Sequence, residues 1–401
     1  MVLDLGVILA VLIPERELSY RTALRVIVPV LYLCLIFDVF AGFFLGINFE
    51  KMFENYSYLL IVLPGLMGLR GNVFGAMASR LSTAFYLGSS EANIRDRHVL
   101  SNFFFSVWLA TMPASILLLL AFFKYRDLDS TIIATGITIS SSVISAIFLS
   151  LSTALAVIFA FRRAIDPDSI SGPFITSVAD LVTIPSLVLL IFLFEIKIGW
   201  VLALISAIVL AVSIILSLAE KKNWRIYKES LAIVCSLALI QSITGNILDE
   251  FSEIIYLSFF VSFAYHSILD QLGNYGSIVV ARTSTRLHLG EIEGFDLRKA
   301  MEDIKYLLFT APFVYPFISI IPLVMAYTYF GTISLNAFAF LIFFFSFLSM
   351  VFLVLLLSFC IGVLLHKLKV DPDNGGIPLV TTITDVFGTL YAVGVALLFT
   401  F

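Results

Sequence analysis

The sequence predicts an all-α polytopic membrane protein of about eleven transmembrane helices. They form two parallel five-helix repeats, related by a pseudo-twofold axis and joined by a linker helix. Three observations predict this. Of 401 residues, 60% are hydrophobic and 13% charged, where a soluble domain has about 45–50% apolar and about 25% charged residues. The apolar residues lie in long continuous runs rather than short alternating stretches, so helices and not a barrel cross the bilayer. Two pairs of polar-marked segments recur along the chain.

At about 20 residues per crossing, the runs place spans at 24–46, 57–86, 102–123, 131–161, 173–195, 198–219, 229–249, 254–287, 304–328, 335–366 and 376–400. The charges test that count. With the N-terminus inside, sixteen Lys and Arg fall in internal segments against four outside, Lys51, Lys124, Arg126 and Lys197. This positive-inside bias supports an odd number of crossings, with the N-terminus cytoplasmic, the C-terminus external and the cell membrane as the location. Residues 1–23 read as an interfacial segment, since they have neither a basic leader nor a small-residue cleavage site. The net charge of −4 and the lack of a basic block argue against nucleic acid as a partner. The three cysteines, Cys34, Cys235 and Cys360, are too scattered for a zinc site or a disulfide framework.

The duplication orders the spans. GNVFGAMASRLSTAFYLG from Gly71 and GNYGSIVVARTSTRLHLG from Gly273 share Gly, Asn, Arg, Ser, Thr, Leu and Gly in register. IDPDSISGPFITSVAD from Ile165 and VDPDNGGIPLVTTITD from Val370 share Asp-Pro-Asp, Pro, Thr and Asp. Apolar composition repeats Leu and Val by chance, but not Asp, Asn, Arg and Pro in order. The expected divisions are 1–23, a first repeat 24–196, a linker helix and internal loop 197–227, and a second repeat 228–401. Such a pseudo-dimer within one chain is compatible with a monomer, and a substrate path on the axis follows from the symmetry.

Ionisable residues inside spans cost about 2.5–3.5 kcal/mol each on insertion scales, so they are functional candidates by default. Asp180 and Asp385 each lie about two turns into the last helix of a repeat. Thr176 and Thr381 precede them by one turn on the same face. Two such stripes across an axis would put two carboxylates at one depth, where a divalent cation neutralises both. The plain alternative is an aspartate that caps a helix or pairs with an arginine. The ligands are all oxygen, which suits Mg²⁺ or Ca²⁺ over zinc or copper, and sparse ligands suit a hydrated Mg²⁺.

PGLMGLRGN (Pro64–Asn72) sets Pro and three Gly within a span and reads as a break in the helix. The second copy, DQLGN, adds Asp270. Asn72 and Asn274 would bond freed backbone groups or the waters of the ion. The alternative is that the small residues serve close helix packing. Arg80 and Arg282 are expected to pair with Asp166, Asp168, Asp371 or Asp373. Asp38 aligns with Gln241 when Gly42 is set over Gly245, so it is a one-sided carboxylate: an extra cation or proton site, or a satisfied buried residue. Asp249, Glu250 and Glu253 read as an external acidic loop without a basic neighbour, and Glu291–Asp303 as a solvated internal segment. His98, His266, His288 and His366 lack metal-ligand spacing.

The GLRGN…ASRLSTA…LG segment, ARTSTRLHLG and the two Asp-Pro segments together resemble the MgtE-type magnesium channel and transporter family. The closer resemblance is to its two-repeat branch, which includes solute carrier family forty-one. The resemblance implies Mg²⁺ or related divalent-cation transport, with Asp180 and Asp385 on the ion-binding face. Bacterial members carry a cytosolic metal sensor before the membrane part; with residues 1–23 there, none is expected here. Gly172 and Ile377 replace the polar residue that the bacterial pattern has before the pore-helix Pro. The alternative function is an intramembrane metal-dependent enzyme acting on lipid or peptide. The chain lacks an HExxH motif and paired histidines, so it is expected not to be an enzyme.

Overall fold

The computed structural model describes residues 19–162, 167–218, 224–288, 290–331, 337–368 and 372–400. Every regular element among them is helical. In chain order they are α1 (Ala23–Asn55, entered through a π-helical turn at Ala23–Ile27), α2 (Ser57–Tyr86), α3 (Arg97–Leu109), α4 (Met112–Tyr125) and α5 (Leu128–Arg162). Then come α6 (Pro167–Glu195), α7 (Gly199–Leu218), α8 (Trp224–Glu250), α9 (Ser252–Leu257), α10 (Phe259–His288), α11 (Leu297–Phe330), α12 (Ala337–Lys367) and α13 (Pro372–Thr400).

Among the described residues, ten helical stretches are long and apolar enough to cross a membrane, with α3 and α4 forming one of them. The expected span at 254–287 falls on α10. That helix has 30 residues, about 45 Å at 1.5 Å per residue, so it is long enough. It is too polar to join the ten, because it carries His266, Asp270, Gln271, Asn274 and Arg282. The expected span at 102–123 is two helices. Pro113 lacks an N–H and fits best in the first turn of a helix, and the chain turns at Ala110–Thr111, where the Thr111 hydroxyl donates to the Trp108 carbonyl at 2.7 Å. The break expected at Pro64 does not occur: α2 continues through it.

The chain divides into two compact units. One is Lys51–Asp249; the other joins α1 to the chain from Glu250 onward. In the first unit, α2 lies at the centre, packed against α3, α4, α5 and α6 and buried over most of its length. The linker helix α7 shows the lipid-facing pattern: Val201, Leu204, Ile208 and Ile215 are exposed, while Ser206, Ser213 and Ser217 face inward. Ser217 accepts a hydrogen bond from the Trp108 indole at 2.8 Å. In the second unit α10 takes the central place, against α11, α12 and α13. Phenylalanines close one end, with the Phe260 and Phe399 rings 4.7 Å apart.

The compact units follow different boundaries from the sequence repeats. Helix α1 belongs with α10, and α8 belongs with α2. One contact recurs in both. A Cβ on Gly42 would sit 2.5 Å from the Phe263 carbonyl oxygen, and a Cβ on Gly245 would overlap the Ile61 carbonyl oxygen. Both obstacles are backbone, so neither can step aside. Gly42→Ala and Gly245→Ala are each expected to destabilise by about 1–3 kcal/mol through overpacking. Gly75→Ala is the control, since nothing lies within 4 Å of its would-be Cβ. Equal melting temperatures for all three variants would contradict the close approach.

Candidate functional site

Each unit brings its Gly-Asn motif against its Thr/Asp helix. In the first, a Cβ on Gly71 of α2 would lie 2.7 Å from the Thr176 hydroxyl of α6. In the second, a Cβ on Gly273 of α10 would lie 3.8 Å from Cγ2 of Thr381 on α13. These are equivalent positions in the two sequence copies. Gly71 thus serves close helix approach, the packing role that the sequence left open, rather than a broken helix, while a Cβ on Gly273 would meet only an ordinary contact. Thr381 keeps its own hydroxyl on the helix, donating to the Ile377 and Pro378 carbonyls at 3.1 Å each.

The surroundings of the two aspartates differ. Asp180 is 2% exposed and lies close enough to Arg70, itself 1% exposed, for their charges to interact. Arg70 is one residue before Gly71 on α2. Its guanidinium donates to the Thr183 hydroxyl and to Ser142 Oγ, the latter at 3.1 Å, so it ties α2 to α5 and α6. Its Nε is buried without an acceptor. The sequence reading singled out no role for Arg70, although a lone arginine in mid-span is a signal in itself. The equivalent position in the second copy is Leu272. Asp385 on α13 is half-buried and lies near Tyr265, whose hydroxyl meets Thr389 Oγ1 at 2.9 Å.

The other candidates separate. Asn72 is half-buried, with its amide nitrogen buried and without a partner. Asn274 is 5% exposed and donates to Asp270 Oδ2 at 2.8 Å. Asp38 is fully buried and accepts from Gln271 Nε2 at 3.0 Å. Asp38 and Asp270 lie close enough to interact.

Among the described residues the two arginines have other partners than the aspartates expected for them. Arg80 donates to Asn102 Oδ1 at 2.8 Å and Ser106 Oγ at 3.4 Å, and Arg282 pairs with Asp303 at 3.0 Å. The third helix of each copy supplies these partners, since it packs beside the arginine at the same end. Asp166 and Asp371 lie outside the described residues, as do the side chains of Asp168 and Asp373. The acidic segment Glu291–Asp303 is engaged as well: Arg286 pairs with Asp303 at 3.2 Å and Glu302 at 2.9 Å. Asp249 does have a basic neighbour, Lys124 at 2.7 Å, because the α4 end reaches the α8 end. Among the described residues no three His, Cys, Asp or Glu gather as a metal cluster.

Long apolar helices with lipid-facing surfaces, and polar residues gathered on the central helix of each unit, define a multi-pass membrane protein of the transporter class. The model of the MgtE family, described as a divalent cation transporter, matches residues 63–190 and 265–395, and the chain belongs to that family. Each matched stretch contains one Gly-Asn motif and one Thr/Asp helix. Solute carrier family 41 member 2 from Gallus gallus is 26% identical over 94% of this chain and 71% of its own length. The Mus musculus member 2 is 26% identical over 93% and 70%. Member 3 from Mus musculus is 27% identical over 70% and 60%. No solved structure matches the chain.

Proposed function

We propose that the chain carries Mg²⁺ across the membrane, as a channel or a carrier, and that each sequence copy contributes its aspartate to the ion's path. Asp180 and Asp385 are the anionic ligands in this reading, Thr176 and Thr381 the neutral oxygens one turn away, and Asn72 and Asn274 the groups that meet the ion's waters. The observation that carries it is the recurrence, within each unit, of a Gly-Asn helix pressed against a Thr/Asp helix. Hydroxyl, amide and carboxylate groups suit a hard cation, and Mg²⁺ keeps several waters when only one or two carboxylates hold it. The cell membrane, an internal N-terminus and a monomeric state are parts of the same proposal.

The test is flux. Full-length protein in liposomes loaded with a Mg²⁺-sensitive dye should admit Mg²⁺ down its gradient. The double variant Asp180→Asn with Asp385→Asn should lose at least about tenfold of the rate, which corresponds to about 1.4 kcal/mol. Undiminished flux in a folded double variant would remove both aspartates from the path.

A further inference from the structure

In the first unit a groove runs between α4 and α5. Its volume is about 310 Å³, at the lower end of the range of about 300–1,000 Å³ for small-ligand clefts. Leu119 and Phe122 of α4 and Leu128 and Ile139 of α5 are among its walls, with Ser115 and Thr131. The two hydroxyls are turned back onto their own helices. Ser115 Oγ donates to the Thr111 carbonyl at 3.3 Å, and Thr131 Oγ1 donates to the Asp127 carbonyl. The surface offered to a guest is therefore apolar, and Leu119 and Leu128 are exposed. From Leu128 to Ile139, α5 rises about 16 Å at 1.5 Å per residue. Half of a hydrocarbon core about 30 Å thick is about 15 Å. The groove thus has the length of one acyl chain in one leaflet.

The charged end of the groove matches a headgroup. The rings of Tyr58 and Tyr125 lie 4.6 Å apart there, and their hydroxyls donate to the Asp127 carbonyl at 3.0 Å and to the Asp249 carboxylate. Tyrosines with an apolar body and a wet hydroxyl collect at headgroup depth. Lys124 is paired with Asp249 at 2.7 Å, which leaves Arg126, Asp127 and Asp129 as the exposed charges on the connection from α4 into α5. Arg126 caps α4 with a left-handed backbone, φ 54°, a place that favours glycine. Arginine there instead sets a guanidinium at the mouth. Two carboxylates stand beside that one guanidinium, so a headgroup of net negative charge is disfavoured. A phosphate suits the guanidinium, and a primary ammonium donates to carboxylates. The Asp127 carboxylate already accepts from Ser130 Oγ and from the Asp129 N–H, so Asp129 is the acceptor left for the ammonium.

From this geometry we propose that the groove between α4 and α5 binds an acyl chain of a phosphatidylethanolamine, a lipid whose headgroup joins a phosphate to a primary ammonium, with Arg126 on the phosphate and Asp129 on the ammonium. None of these residues belongs to the proposed cation path, so the lipid site stands independently of the transport reading.

Native mass spectrometry of the full-length chain tests the site. The protein, purified in detergent, is given phosphatidylethanolamine, phosphatidylcholine or phosphatidylglycerol of matched acyl chains. One phosphatidylethanolamine should be retained, at least about tenfold more tightly than either other lipid. Arg126→Gly suits the left-handed backbone and removes only the side chain, and it should weaken phosphatidylethanolamine binding by at least about tenfold. Asp129→Asn should erase the preference over phosphatidylcholine. Thr135→Phe sets a ring on the groove wall and should abolish retention. Equal retention of the three lipids by the wild type, a preference for phosphatidylglycerol, or undiminished binding in Arg126→Gly would each overturn the proposal. If Thr135→Phe does not fold, Arg126→Gly decides alone. A wild type that runs as a dimer, and as a monomer in Thr135→Phe, would mean that a second copy covers the groove, and would count equally against the lipid.

Discussion

Asp385→Asn is expected to abolish most of the Mg²⁺-dependent stabilisation of the purified protein, and Asp180→Asn markedly less of it. The two residues occupy matching sequence positions, yet their charge environments differ. The Arg70 guanidinium beside Asp180 offsets its negative charge, and both are almost fully buried. At the place of Arg70 the second copy has Leu272, and Asp385 keeps some exposed surface. A cation approaching Asp180 must compete with a fixed positive charge, which repels a divalent ion twice as strongly as a monovalent one. At a free Mg²⁺ concentration about 100 times Kd, mass action adds about 2.7 kcal/mol to the stability of the wild type. Asp385→Asn should remove most of that increment, read as the rise in melting temperature on adding Mg²⁺. Equal losses for the two variants would mean that Arg70 leaves Asp180 fully available to the ion.

How much of this was legible in the sequence can be judged residue by residue. The membrane class and the spans follow from hydropathy, a local property, and survive in nearly every helix. The Gly71/Gly273 and Thr176/Thr381 pairs were marked by their duplication, and each unit does bring its own pair together. Duplication was also what hid Arg70. A search for residues present twice passes over one that has Leu272 as its counterpart, although a guanidinium in mid-span is the costliest group there to place. Asp38 and Asp270 were seen singly but not as a pair. Their meeting depends on α1 packing with a helix more than two hundred residues away, and hydrophobic periodicity says which face is buried, not which partner buries it. Pro64 misled for a related reason. A proline removes one helical hydrogen bond, but α2 packs against four other helices and continues through Pro64.

Removing Arg70 should then have a large effect of a particular kind. Arg70→Leu recreates in the first copy the residue that the second copy has at Leu272. It deletes the charge partner of Asp180 and the donors to Thr183 and Ser142. Removing one of two interacting buried charges is destabilising, mostly because the other charge is left in place. The loss should therefore be reversed in large part by adding Asp180→Asn, which withdraws that charge. The cycle of two single variants and their double, followed by thermal melting, yields the coupling directly. Mg²⁺ supplies an independent readout. With Arg70 gone, the Asp180 carboxylate loses that fixed positive charge nearby, so Mg²⁺ should stabilise Arg70→Leu by more than it stabilises the wild type. Asp180→Asn in the same background should erase the added stabilisation. A variant as stable as the wild type, with an unchanged response to Mg²⁺, would show that Arg70 does not compensate Asp180, and the argued difference between the two aspartates would fall with it.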